Sequence, residues 1–178
     1  MSFLDFAARM FPYWSLGAFM GWAVWKSDYK DLLRFEWKPF SKFLLFMCAI
    51  SFYRYYMLRL AIHAGIDLHL DAVKSLPIGA VAFVPWENMC HSVPLVLLRR
   101  MIGTSKWMWP IHALAMVGVM VSFGLGHIYQ GLIAAAFISL SVPFDIYWGK
   151  KVGFGTTMCA HVLYDFSTIM TIRLALGL

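Results

Sequence analysis

Charged side chains are scarce in this 178-residue chain: 13% of residues, against roughly 25% in a soluble domain. Hydrophobic residues make up 61%, with a mean hydropathy of +0.69. A water-facing globule of this size still exposes much of its surface, so it has nowhere to hide such an excess. Lipid is the solvent that this composition points to. Cysteine is scarce too. Cys48, Cys90 and Cys159 lie in apolar stretches with no CxxC spacing, which argues against a disulfide framework and a zinc knuckle. The first residues lack a basic n-region and a small-residue cleavage site, so the opening apolar run is expected to remain as a span. No internal repeat, low-complexity tract or long linker divides the chain, which reads as one domain, 1–178.

What is present is a series of long apolar runs. A hydrocarbon core of about 30 Å needs roughly 20 apolar residues per helix. That ruler predicts spans at 5–25, 43–62, 76–98, 107–128, 130–148 and 154–176. The expected fold is therefore all-α, a polytopic transmembrane bundle of about six spans. Its N-terminal spans cover 5–62 and a second part covers 76–176.

The net charge of +6 would suggest nucleic acid in a soluble protein, but here the basic residues sit in short connections between spans. No nucleic-acid partner is expected. The first, third and fifth connections hold Lys26, Lys30, Arg34, Lys38, Lys42, Arg99, Arg100, Lys106, Lys150 and Lys151; the other side has Arg9, Lys74 and Arg173. The bias predicts that the odd connections are cytoplasmic. The tract Lys26–Lys42 alternates charges with Leu32, Leu33, Phe35, Trp37 and Phe40. It reads as an interfacial segment or, equally, a solvated loop. Gly17 and Gly21 form a GxxxG that permits close helix packing.

Against this apolar background, ionisable residues inside spans stand out, since each costs about 2.5–3.5 kcal/mol at mid-bilayer on insertion scales. They are Arg54, Arg59, Glu87, His91, His127, Asp145, His161 and Asp165. Glu87 and His91 are one helical turn apart, as are His161 and Asp165. An acid one turn from a histidine can orient the ring. Pro85 and Pro94 flank Glu87 and are expected to break or kink its helix, freeing carbonyls toward a polar cavity. A carboxylate, two histidines and a second acid on three spans are enough to activate a water and stabilise an oxyanion. The alternative is polar glue between helices.

The sequence resembles the CPBP family, the CAAX proteases and bacteriocin-processing enzymes, which are glutamic-type intramembrane proteases. The family signature is EExxxR, FxxxH and HxxxN or HxxxD on separate spans. Phe123-Gly-Leu-Gly-His127 fits the second motif and His161-Val-Leu-Tyr-Asp165 the third. The lead-ins GLIAAAFISLSV, Trp148-Gly149 and GFGTTMCAH are also similar, and the resemblance covers about 80–170. The first motif departs from the pattern. With Glu87 as the leading glutamate, Asn88 replaces the second and Ser92 the arginine; in the other register, Trp86 and His91 are the replacements. The first register is preferred, because the leading glutamate is the family's catalytic one.

The resemblance implies that Glu87 acts as general base on a water shared with His127, and that His161 and Asp165 bind the oxyanion. Asn88, His91 and Phe123 would support them. It implies a peptide or protein substrate with a hydrophobic or lipidated tail, membrane lipid as surroundings, and the bacterial cytoplasmic membrane as location. No cofactor is expected; the alternative is zinc held by Glu87, His127 and His161, a common ligand set. HExxH is absent, and Tyr164-Asp165 lacks a GxGD partner. The non-enzymatic alternative is a membrane scaffold, an immunity-type protein or a proton path built from the same charges.

By the expected topology, His127 and His161 lie toward opposite faces. They meet only if spans tilt, or if the GFGTT segment starts the last helix deep in the bundle.

Overall fold

The computed structural model describes residues 3–66, 78, 81, 84–103, 105–128 and 131–178. Its helices are α1 (Phe3–Lys26), α2 (Trp37–His63), α3 (Val84–Ile102), α4 (Trp109–Gly126), α5 (Leu132–Val152) and α6 (Phe154–Leu176). Short 3-10 turns at Lys30–Leu33 and Lys106–Met108 precede α2 and α4. Among the described residues there is no β-strand. Each expected span matches one helix. The start of the third span, together with Lys74 and Gln130, lies outside the described residues.

One expected boundary shifts for a local reason. α2 begins at Trp37, six residues before the expected 43, because Lys38 and Pro39 fit a first turn, where proline's missing N–H costs nothing. The expected break around Glu87 does not occur. Pro85 occupies the first turn of α3, and Pro94 sits inside a helix that continues to Ile102.

α3 is the hub, packing against α1, α4, α5 and α6. Its Ser92 and Val93 are fully buried. α1 reaches α3 through Gly17, where a Cβ would collide with the Trp86 backbone carbonyl. Gly21 faces the Trp86 ring and Met89, so the GxxxG is the contact face for α3. α2 docks along α6 in parallel. Glu36 N–H donates to Thr156 Oγ1 (2.7 Å), Arg54 Nη1 to Thr168 Oγ1 (2.8 Å) and Arg59 Nη1 to the Ala175 carbonyl (3.2 Å). Arg54 also lies 4.6 Å from the Tyr164 ring centre. The two arginines inside the second span are thus packing groups.

The tract before α2 is a strap, not a solvated loop. Leu32 is buried in the core with Val96 and Phe154, and Arg34 Nη2 donates to the Lys151 carbonyl at 2.9 Å. Arg100 pairs with Asp31 at 3.1 Å. These contacts gather the first, third and fifth connections at one end of the bundle. Gly153 is what lets the strap in: its φ is +87°, and any Cβ there would strike Arg34.

The core is mainly apolar, with a few buried polar residues, and much of the exterior is apolar as well. Asn88, Ser92, Thr156, Thr157 and Thr171 are buried. Leu114, Val117, Val121 and Leu125 form an exposed apolar stripe along α4, and Phe137, Leu140 and Phe144 do so on α5. The segments Lys30–His63 and Lys106–Gly126 are long and apolar enough to cross a membrane. α3, α5 and α6, which carry the acids and two of the histidines, are not among them.

Candidate functional site

The site forms where the N-terminal turns of α3 meet the C-terminal end of α4 and the first half of α6. Its centre is His161, on α6. The His161 Nδ1–H donates to Asn88 Oδ1 across the α3–α6 contact at 3.1 Å. Asn88 is 2% exposed, so this bond is made away from solvent. His161 Nε2 faces Asp165 Oδ2 at 3.7 Å, one turn further along α6. That spacing suits an ion pair and is too long for a hydrogen bond. When the ring is protonated, its second N–H therefore remains available to another acceptor beside a counter-charge.

Around the ring gather the acids. Glu87, Asp145 and Asp165 all lie within electrostatic range of His161, and Asp165 also of His127. Glu87, His127, His161 and Asp165, the four residues singled out in the sequence, thus share one electrostatic neighbourhood. Asp145, from α5, joins them. In the sequence it stood out only as an acid in an apolar span, with no motif to attach it to the others. Its signal was an i+2 position after Pro143, on a helix one tight turn from α6.

Phe123 and the two remaining histidines form a stack. The Phe123 ring centre is 4.3 Å from that of His91 and 4.7 Å from that of His127. His91 Nδ1–H donates to the Glu87 carbonyl, and His127 Nδ1–H to the Phe123 carbonyl at 2.9 Å. Each bond fixes its ring relative to its own helix and puts the acceptor lone pair on Nε2. His127 caps the C-terminus of α4. Close packing at Gly124, where a Cβ would lie 3.0 Å from the Ala135 carbonyl oxygen, holds that end against α5.

His161 reaches this level because α6 starts inside the bundle. Phe154, its first residue, is fully buried in the same core cluster as Val93 and Val96 of α3. Asn88 lies fourteen residues before the end of α3, whereas His161 lies seven after the start of α6. At 1.5 Å per residue, α6 begins about 10 Å inward of the end of α3. The GFGTT segment is thus the deep start that the sequence required for His127 and His161 to meet.

Ser92 occupies the position of the arginine in the preferred register of the first motif. Its Oγ and the Asn88 Nδ2 are both buried without a hydrogen-bond partner among the described residues. Among the described residues, no three His, Cys, Asp or Glu side chains are grouped to hold a metal ion. No protein-family model, curated protein or solved structure matches the chain. The resemblance stands on the motif residues alone.

Proposed function

We propose that the chain is a six-span integral membrane protein of the bacterial cytoplasmic membrane. In this reading it is an intramembrane endopeptidase of the CPBP type, cleaving a peptide bond in a membrane-associated protein or peptide tail. The observation that carries the reading is the convergence of Glu87, His127, His161 and Asp165 from three helices, with Asn88 holding the His161 ring. The apolar stripes on α4 and α5 support lipid as the surroundings. The basic end supports a cytoplasmic orientation for the odd connections. Exposed Trp25, Trp37, Trp107, Trp109 and Trp148 all belong to that end and form an interfacial belt.

The chemistry follows from these side chains. Glu87 takes a proton from a water that His127 Nε2 also holds, and the hydroxide attacks the scissile carbonyl carbon. The carbonyl oxygen gains the negative charge and accepts the proton-bearing Nε2 of His161, whose positive charge Asp165 balances. Collapse breaks the C–N bond as Glu87 returns its proton to the leaving amine. Products are a carboxylic acid and an amine, and no cofactor is consumed.

Glu87→Ala, His127→Ala and His161→Ala are each expected to abolish cleavage of a hydrophobic-tailed membrane reporter while the variants still insert and accumulate. Retained cleavage in Glu87→Ala would sink the mechanism. Cleavage is expected to persist in a chelator; loss that zinc restores would assign Glu87, His127 and His161 to a metal.

A second reading, a non-catalytic scaffold, an immunity-type protein or a proton path, has one observation in its favour. The neutral Asn88 and Ser92 stand where the family motif has a glutamate and an arginine. Reporter cleavage by the wild type, absent in Glu87→Ala, separates the two readings.

A further inference from the structure

At the basic end of the bundle, a cavity of about 410 Å³ opens between the strap, α3 and α5. Its size is within the roughly 300–1,000 Å³ of small-molecule sites. Arg34, Arg99, Arg100 and Lys150 line it, with Asp31 as the one carboxylate, and Leu32, Val96, Gly103 and Gly149 supply the apolar and backbone wall. Two of the cations are already engaged. Arg100 pairs with Asp31, and Arg34 with Glu36 at 2.8 Å. Arg99 and Lys150 have no carboxylate partner among the described residues.

With Arg100 and Arg34 paired, Arg99 and Lys150 leave the cavity with a net positive charge that an anion entering from outside neutralises. The tryptophans put this cavity at the level of the headgroups. Trp107 is 80% exposed, Trp109 69% and Trp148 46%; Lys151 lies 5.3 Å from the Trp148 ring centre. A basic hollow between helices at that depth fits a phosphate group whose chains run down the apolar face beside it. Arginine supplies a planar fork matched to phosphate oxygens, and lysine a point charge.

We propose that this cavity is a binding site for a phosphate anion, supplied by the headgroup of an anionic phospholipid and held by Arg99 and Lys150. The site rests on the membrane embedding and is independent of the peptidase chemistry, from which it is separated along α3 by the turns between Glu87 and Arg99.

The test uses the full chain purified in a zwitterionic detergent, with phosphatidylglycerol, phosphatidylcholine and inorganic phosphate as probes. Binding is read as retained lipid in native mass spectrometry and as a rise in melting temperature. The variants are Arg99→Gln with Lys150→Gln, and a control pair outside the cavity, Lys38→Gln with Lys42→Gln. Phosphatidylglycerol is expected to bind the wild type and the control. Losing both cavity cations is expected to weaken binding roughly 30-fold. Equal protection by inorganic phosphate, lost in the same variant, would support the anion site and give it a soluble source. Arg99→Lys, which keeps the charge, is expected to retain more binding than the double variant, which separates loss of the anion from misfolding. Phosphatidylglycerol binding that is absent, or equal in the double variant and the control, overturns the proposal.

Discussion

The bundle is charged at two levels, and they are built in opposite ways. At the strap end, Asp31 with Arg100 and Arg34 with Glu36 are paired at about hydrogen-bond distance with roughly half of each side chain in solvent. Around His161, the charged groups are shielded, the closest ion pair is 3.7 Å, and Asn88 Nδ2 and Ser92 Oγ lie buried without partners among the described residues. The paired groups of the first level satisfy one another, as expected of groups that fix loops and face water. The second is under-satisfied, which is expensive in a low-dielectric interior. Buried groups left short of partners are what a site that must receive a water and a peptide requires.

The contrast yields graded outcomes. Asn88→Ala removes the acceptor of the hydrogen bond from His161 Nδ1–H. It is expected to lower turnover roughly 10- to 100-fold with little change in KM. Asn88→Asp, which keeps an acceptor oxygen, is expected to recover part of that loss; equal turnover in both variants would remove the positioning role.

Next come the two close approaches that hold the levels apart. Gly17→Ala forces a methyl into the Trp86 backbone and is expected to cost about 1–3 kcal/mol in detergent melting experiments. Gly21→Ala meets only flexible side-chain atoms at 3.5 Å or more and is expected to cost much less. Gly153→Ala is expected to cost about 1–3 kcal/mol, through the positive φ and the collision with Arg34. It is also expected to loosen the strap, read as faster proteolysis between Lys26 and Trp37.

The smallest effect is at the strap pair. The Arg100 guanidinium, hydrogen-bonded to Asp31, lowers its carboxyl below the usual 3.8. A depressed folded value means the pair stabilises the fold above the ordinary carboxylate range and stops doing so as pH falls through the lowered value. Solvent screening keeps this under about 1 kcal/mol. Asp31→Asn should therefore differ from the wild type at neutral pH and converge with it once the pH falls below that lowered value. A difference that persists at low pH would show that the side chain acts through packing.

Much of this was legible in the chain. Apolar run length located all six helices but not every end, since α2 starts six residues early, where Lys38 and Pro39 extend its first turn. The pairs Glu87/His91 and His161/Asp165, and the Phe123–His127 spacing, were visible because helical periodicity puts residues four apart on one face. The partner of the Gly17–Gly21 face was not, since a GxxxG names a surface and not its neighbour. Asp145 was missed as a member of the site because its link to His161 is purely tertiary. The strap's docking was undecided because its alternating pattern fits an interface and a loop equally. At Pro94 the helix continues without a break, because α3 is packed against α1, α4, α5 and α6 and one missing N–H does not end it.

In the proposed reading, the under-satisfied level does hydrolytic chemistry. Profiling of protein termini in membranes from cells expressing the wild type or Glu87→Ala tests it directly, whatever the substrate is. New termini beside hydrophobic tails, present with the wild type and absent with Glu87→Ala at equal expression, are the predicted result. Identical sets of termini from the two would contradict it.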